Sequence, residues 1–448
     1  MTCDSRFRLS VVLVALAMVA CAPTGASLSP ADSFNSVGFS SPAKTPIKHV
    51  VIIVQENRSF DNIFAGYPGA DAHTFGYMHD GTKVNLKPIG FKSPDLGHSF
   101  EDSLISIDGG KMDGFDRTLP KDPKYPYSYL ERKQVAPYWT MAQSYVLADH
   151  MFPTEHGASF TSHILLIAGT TKLKPQLALA DVPSSQVWGC DAPKGSTTPT
   201  VDSAQQFHLK GPFPCFSVFK TMADTLDAAQ VPWRYYSEPE VGCPTHCTGG
   251  FQWDIFDAIK QVRYGPDWSQ NVISPETQVL TDITNGNLAS VSWVMPDWKN
   301  SDHPFSDSDT GPSWVAAIVN TIGHSKYWDS TAIIIFHDDW GGWFDDLAPP
   351  QLDFLGLGIR VPCIIVSAYP KAVGYVSHTQ YEFGSILKFT EETFGLPSLD
   401  KTDVRANSLS DSFDFRKKPR QFKTIPAKYP VSKFLFERHT VGPFNIDS

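Results

Sequence analysis

The sequence predicts an α/β fold with a largely parallel central sheet flanked by helices, and three observations carry that expectation. The first is a set of short, apolar, β-branched runs at residues 50–54, 290–295, 331–336 and 361–367. Runs that are apolar at every position suit strands covered on both faces, as in a parallel sheet. The second is that helix-like segments lie between these runs, which is how parallel strands are connected. The third is that two of the runs stop abruptly in polar side chains. Glu56-Asn57 follows the first, and His337-Asp338-Asp339 follows the third. Open α/β sheets bind ligands just beyond the carboxyl ends of their strands.

The remaining elements follow in chain order. Residues 137–147 fit a helix that ends before a turn at Asp149-His150, and residues 160–168 fit one that opens after Ser159. Residues 219–229 form a further helical pattern, followed by the strand-like Trp233-Arg234-Tyr235-Tyr236. A helix over 314–322 is entered through Gly311-Pro312-Ser313, and one over 380–394 is ended by Gly395 and Pro397. No internal repeat is visible. Residues 172–214 lack periodicity and are rich in Pro, Ser and Thr. So long a loop is usually functional or cross-linked, which leaves a cap over the active site or a disulfide-pinned surface loop.

With 448 residues, 42% of them hydrophobic, the chain can bury a large core. A formal net charge of -10 argues against a nucleic-acid partner. The basic tract at 416–423 reads as a solvated part of the tail. At the N-terminus, Arg6 and Arg8 precede an apolar run over 9–20 that is too short to span a bilayer, the pattern of an export signal. Met18-Val19-Ala20-Cys21 resembles a bacterial lipoprotein cleavage box, which would make Cys21 a lipidated membrane attachment. Ordinary secretion with cleavage near Ala22 or Ala26 is the alternative. The expected location is thus periplasmic, outer-membrane-anchored or secreted. The expected organisation is a signal at 1–20, a disordered linker at 21–46, a catalytic domain at 47–400 and a C-terminal extension at 401–448.

Cysteine usage fits export. Beyond Cys3 and Cys21, Cys190 and Cys215 flank an irregular segment that a disulfide could close, and Cys243 and Cys247 could form a second, small loop. Cys243, His246 and Cys247 could instead suggest zinc, although no second ligand pair completes a tetrahedral site. Cys363, inside an apolar run, reads as a buried free thiol.

The chemistry concentrates at a few positions. Side-chain oxygens at Glu56, Asn57, Asp338 and Asp339 suit a divalent cation, because adjacent carboxylates repel unless something positive lies between them. Ser159 precedes a helix-like run, where backbone N–H groups and the helix dipole favour negative charge on its oxygen. A helix cap is the commoner role for such a Ser. His163 lies four residues on, on the same helical face. His98 and the Ser301-Asp302-His303-Pro304 segment supply further polar groups. Together the histidines could protonate a leaving group and contact phosphoryl oxygens.

Five segments, in order along residues 47–400, resemble the bacterial phosphoesterase family that includes phospholipases C and an acid phosphatase. They are Glu56-Asn57-Arg58-Ser59-Phe60-Asp61, residues 157–170, residues 301–304, residues 338–345, and residues 356–362 leading to Ser377-His378-Thr379. The resemblance implies an alkaline-phosphatase-like α/β sandwich with one metal ion at the strand ends. It implies Glu56, Asn57, Asp338, Asp339 and Ser159 as metal ligands, with Ser159 also the nucleophile that becomes phosphoserine. His98 and His303 would be catalytic, and His163 and Asp302 would bind substrate, a phosphate ester and possibly a phospholipid.

The chain departs from that pattern in places. Many members carry Thr at the Ser159 position and Pro-Asn-Arg where this chain reads Thr161-Ser162-His163. Many carry Asp-Glu where it reads Asp338-Asp339. It also ends without the extra C-terminal domains of the larger haemolytic phospholipases.

The oxygen-rich ligand set admits Ca²⁺, Mg²⁺, Mn²⁺ or Zn²⁺. Trp298, Trp340 and Trp343 could cage a choline group, although packing is the commoner use of buried Trp. A sulfatase- or phosphonatase-like hydrolase is a second reading, but Ser159-Phe160-Thr161-Ser162-His163 lacks the Cys/Ser-x-Pro-x-Arg pattern of sulfatases. A non-catalytic surface-binding lipoprotein on the same fold is a third. The metal reading sets one geometric condition: the oxygens of Glu56, Asn57, Ser159, Asp338 and Asp339 must converge.

Overall fold

The computed structural model describes residue 42 and residues 44–119, 121–243 and 247–437. The signal segment with Cys21, most of the linker, and His246 lie outside the described residues. The central sheet is built from β1 (His49–Gln55), β2 (Val146–Phe152), β3 (Trp233–Tyr236), β4 (Val272–Ile273), β5 (Val291–Val294), β6 (Thr331–His337), β7 (Val361–Ser367), β8 (Tyr375–Ser377) and β9 (Tyr381–Glu382). Across the sheet the order is β4-β3-β5-β1-β6-β7-β2-β8, and β9 also lies against β2. β1 is parallel to β5 and β6, β3 to β4 and β5, and β2 to β8 and β9. β7 is antiparallel to β6 and to β2. The carboxyl ends of β1, β6 and β2 therefore share one edge of the sheet.

The four apolar runs fall on β1, β5, β6 and β7. Val50, Val51, Ile53 and Val54 of β1 are fully buried, and each such side chain stabilises the fold by roughly 1.5–3 kcal/mol. The main helices are α1 (Ala136–Ser144), α2 (Ser159–Ala168), α3 (Gly311–Gly323) and α4 (Phe383–Phe394). α2 is buried at every residue, which explains its nearly continuous apolar sequence. Pro312 occupies the first turn of α3, where its missing N–H costs nothing, and Gly395 ends α4 in the left-handed conformation.

Four expectations are corrected. The helix expected over 137–147 stops at Ser144, and β2 begins at Val146 and runs through the expected turn at Asp149-His150. The polar pair does not end the strand because Asp71 N–H and the His378 ring satisfy the Asp149 carboxylate. The helix expected from 380 opens only at Phe383, because Tyr381–Glu382 pairs with β2 and Glu382 forms a capping box with Ser385. The helix expected over 219–229 is shorter, Met222–Ala228, and is opened by a Thr221/Asp224 capping box. Residues 172–214 are not a bare loop. They contain a small antiparallel sheet of Lys172–Lys174, Leu177–Leu179, Thr200–Asp202 and Phe207–His208.

Disulfides join Cys190 to Cys215 and Cys243 to Cys247, and Cys363 is a buried free thiol. Residues beyond 400 are packed onto the same core. Phe434 is buried against Trp314 at a ring separation of 5.5 Å, and Trp328 Nε1 donates to Arg420 O. Arg420, in the basic tract, donates to Ser144 O.

Candidate active site

β1 and β6 run in register to their ends, with Gln55 opposite His337. The next residues, Glu56 and Asp338, therefore emerge side by side, and Asp338 N–H donates to Gln55 O at 2.9 Å. Asn57 adopts φ 59, a left-handed conformation that Asn tolerates better than most residues. In that turn its N–H donates to Asp338 Oδ1 at 3.0 Å. The glycine pair after Trp340 is equally constrained. Gly341 and Gly342 have φ 59 and 77, and a Cβ on Gly341 would lie 2.1 Å from Asn57 O.

Ser159 is the first residue of α2, with Ala158 as the N-cap. Its hydroxyl is not used as a cap. It donates to Asp339 Oδ2 at 2.9 Å and lies 3.4 Å from Asn57 Oδ1. His163, one turn further along α2, places Nε2 3.2 Å from Glu56 Oε1 and 3.5 Å from Asp338 Oδ2. Glu56, Asn57, Ser159, His163, Asp338 and Asp339 are all fully buried. The residues named from the sequence thus fall into two adjoining groups, Ser159 with Asn57 and Asp339, and His163 with Glu56 and Asp338, joined by the bond from Asn57 N–H to Asp338.

His98 approaches from the loop before the helix Phe100–Ile107. Its Nδ1 donates to Leu96 O at 2.6 Å, so Nε2 accepts from Asn57 Nδ2 at 3.0 Å and lies 4.0 Å from Asp339 Oδ2. His303 is buried with its ring 4.8 Å from that of Trp298, and its Nδ1 donates to Pro304 O. The side chain of Asp302 is engaged by Tyr138 and His337. It accepts from Tyr138 OH at 2.6 Å and lies 3.3 Å from His337 Nε2, while its backbone O accepts from Arg58 Nε at 2.9 Å. Trp340 and Trp343 are core residues: Trp340 packs on Phe115, and the Arg58 guanidinium lies 5.2 Å from the Trp343 ring.

The electrostatics favour a cation. Burial works to lower the His163 pKa, yet Glu56 and then Asp338 overcome it and push the imidazole up to about 10. The two buried carboxylates thus place negative charge against His163, the kind of environment that favours a positive partner. Glu56, His163 and Asp338 can each aim a ligand atom at one point, so the residues present fit a divalent cation. A separate group, Asp61, Asp345 and Asp346, differs because Arg360 already serves it, with bonds of 2.9 Å to Asp345 and 3.0 Å to Asp346 and an ion pair of 3.9 Å to Asp61.

His163 lies on the Ser159 face of its helix, as its spacing implies, and the register of β1 and β6 puts it beside the carboxylates of Glu56 and Asp338. Tyr138 and His337, which hold Asp302, were not anticipated. His337 had a signal, since it directly precedes Asp338.

The chain is 24% identical to phospholipase C B of Mycobacterium tuberculosis, over 85% of this chain and 80% of that protein. It is 24% identical to a non-hemolytic phospholipase C of Pseudomonas aeruginosa, over 82% of this chain and 57% of that protein. A solved protein of the alkaline phosphatase superfamily from Vibrio parahaemolyticus aligns with a TM-score of 0.38 and 12% identity, over 83% of this chain and 74% of that one. The sequence profile of the Phosphoesterase family matches residues 47–397, most of the 448 residues. The chain belongs to the Phosphoesterase family and is a phosphoric ester hydrolase.

Proposed function

We propose that the chain is a metal-dependent phosphodiesterase of phospholipase C type that cleaves its substrate through a phosphoseryl intermediate on Ser159. The observation that carries this reading is the Ser159 hydroxyl. It is fully buried at the head of α2, donates to Asp339 Oδ2 at 2.9 Å, and lies 3.4 Å from Asn57 Oδ1. Glu56, Asn57, Asp338, Asp339 and the Ser159 oxygen, with His163, would hold one divalent cation. When bound, that cation polarises a phosphoryl oxygen and eases deprotonation of the hydroxyl.

Ser159 Oγ forms a bond to phosphorus as the ester oxygen departs, and its proton passes to Asp339 Oδ2. His303, whose Nδ1 is committed to Pro304 O, presents Nε2 as the atom that protonates the leaving alkoxide. Water then attacks phosphorus as the bond to Ser159 Oγ breaks; Asp339 Oδ2 returns its proton to Ser159 Oγ, and the proton released by water restores His303 Nε2. His98 holds the Asn57 amide through their 3.0 Å bond, which leaves Asn57 Oδ1 turned towards Ser159. Asp302 acts through Tyr138 and His337 and not by touching substrate.

The names of the two relatives favour a phosphodiester over the phosphomonoester of an acid phosphatase. Rates on p-nitrophenyl phosphorylcholine and p-nitrophenyl phosphate decide between them, and acid trapping of phosphoserine at Ser159 tests the intermediate. Faster monoester hydrolysis overturns the phospholipase assignment; turnover without phosphoserine, undiminished in Ser159→Ala, overturns the nucleophile.

Export is part of the same reading, and it rests on Arg6, Arg8 and the apolar run over 9–20. The domain plan of signal, linker and catalytic body goes with it, with residues 401–437 counted as part of the body. No helix among the described residues is long and apolar enough to cross a membrane. The mass of the mature N-terminus separates a lipidated Cys21 from simple cleavage.

A further inference from the structure

We propose that Asp71, Asp149, His150 and His378 form a second metal site, sharing no residue with the Ser159 cluster, that takes a zinc-class divalent cation. All four can aim one ligand atom into a space in which those atoms lie within 4.8 Å of one another. His378 Nδ1 lies 2.9 Å from Asp149 Oδ2, His150 Nε2 lies 2.8 Å from Asp71 Oδ2, and His150 Nε2 lies 3.9 Å from Asp149 Oδ1. The two imidazole rings are 5.8 Å apart. Ligand atoms on one tetrahedral zinc, each about 2.0–2.2 Å from the metal, are about 3.3 Å apart. Small side-chain rotations close the observed set onto such an ion.

The backbone gives an independent argument. Successive residues of a regular strand point to opposite faces of the sheet, so Asp149 and His150 would normally diverge. β2 is irregular at this point. Val361 pairs with Met151, but Cys363 pairs with Ala148, so one extra residue of β2 is accommodated opposite Pro362. A bulge of this kind re-aims side chains, and here both Asp149 and His150 reach the cluster. The other neighbour of β2 is broken at the same level. β8 ends with Ser377 opposite Ala148 and β9 resumes with Tyr381 opposite Met151, and His378 lies in the gap. The Asp149 carboxylate is fully buried at the base of the cluster, while His378 and Asp71 are open to solvent. An ion thus has both a fixed anchor and a way in.

Two imidazoles and two carboxylates select zinc-like metals over calcium or magnesium. The bound ion would tie the Asp71 loop and the edge of the sheet to β2, the strand that leads into Ser159.

The test uses chelator-stripped full-length protein titrated with Zn²⁺ by calorimetry and with Co²⁺ by visible absorption. The Asp338→Asn variant, impaired at the catalytic cluster, is expected to keep one equivalent with the spectrum of tetrahedral cobalt. His150→Gln or His378→Gln, added to it, is expected to remove that equivalent. In the otherwise native protein the same His variants are expected to lower zinc stoichiometry by one and leave ester hydrolysis at its native rate. Unchanged stoichiometry in both His variants overturns the site and identifies the cluster as a hydrogen-bonded network only. Failure of the catalytic assignment has a different signature, namely an Asp338→Asn protein that keeps full activity.

Discussion

Asn57 donates its backbone N–H to Asp338 Oδ1 at 3.0 Å, and with the bond from Asp338 N–H to Gln55 O it fastens the end of β1 to the end of β6. Asp338 therefore has two tasks, orienting the Asn57 turn and supplying a carboxylate to the cation. Asp338→Ala is expected to lower kcat/KM by about 10³-fold or more, since preorganised charge of this kind supplies several kcal/mol of transition-state stabilisation. Metal analysis of the purified variant should show the catalytic equivalent lost. Retention of both metal and rate would remove Asp338 from the site.

Gly341 is the backbone counterpart of that bond. Its φ is 59, and a Cβ there would press on Asn57 O. Gly341→Ala is expected to cost about 1–3 kcal/mol in denaturant unfolding from the left-handed conformation alone. The displaced Asn57 should also depress kcat well beyond what the loss of stability explains. A variant as active and as stable as the native protein would show that the turn has room to shift.

Ser159→Ala removes the attacking oxygen but leaves Glu56, His163, Asp338 and Asp339 in place. Turnover is expected to fall by about 10³-fold or more, with phosphoserine lost and metal content largely kept. Ser159→Thr retains a hydroxyl at the same point and is expected to recover part of the rate. Quench-flow with an aryl ester, followed by peptide mass mapping, reads both.

Much of this architecture was legible in the sequence because the buried strands carry mostly apolar, β-branched runs. Residues 361–367 and 233–236 were read with the bounds they have in the fold. The cluster of Glu56, Asn57, Asp338 and Asp339 was legible for the same reason, since polar residues after such runs mark strand ends. What stayed hidden depends on pairing partners far along the chain. The β2 bulge at Asp149-His150 looks like a turn until β7 and the gap between β8 and β9 are seen around it. That His163 lies against Glu56 and Asp338 depends on the register of Gln55 with His337, far apart in sequence. The direction in which Asp302 points is set by Tyr138, 164 positions away, and no local pattern reports that.

His163 brings a nitrogen donor to an otherwise all-oxygen set, 3.2 Å from Glu56 Oε1. Imidazole nitrogen favours Zn²⁺ over Ca²⁺ and Mg²⁺. His163→Gln is therefore expected to weaken Zn²⁺ at the catalytic cluster by about tenfold or more while changing Mg²⁺ affinity little. Competition titrations with a zinc indicator, run in the His378→Gln background to silence the second site, measure the difference. Undiminished Zn²⁺ affinity in the variant would remove His163 from the ligand set.

Glu155 lies just before the Ser159 helix, fully buried beside Thr171. Burial, opposed by hydrogen bonds from Thr171 and Thr161, pushes its pKa from 4.5 up to about 8. Between those values the folded state holds a proton that the unfolded state has released. The favourable contribution is therefore complete below about pH 4.5 and disappears as pH rises through about 8. Glu155→Gln fixes the neutral form. Relative to the native protein, the variant should gain stability from pH 5 to pH 9, by as much as several kcal/mol for a shift of this size. Comparing the two pH values cancels any constant difference between Gln and a protonated Glu. Thermal unfolding of both proteins at pH 5 and pH 9 gives the answer, and a variant-to-native gap that is the same at both would show that Glu155 stays charged in the fold.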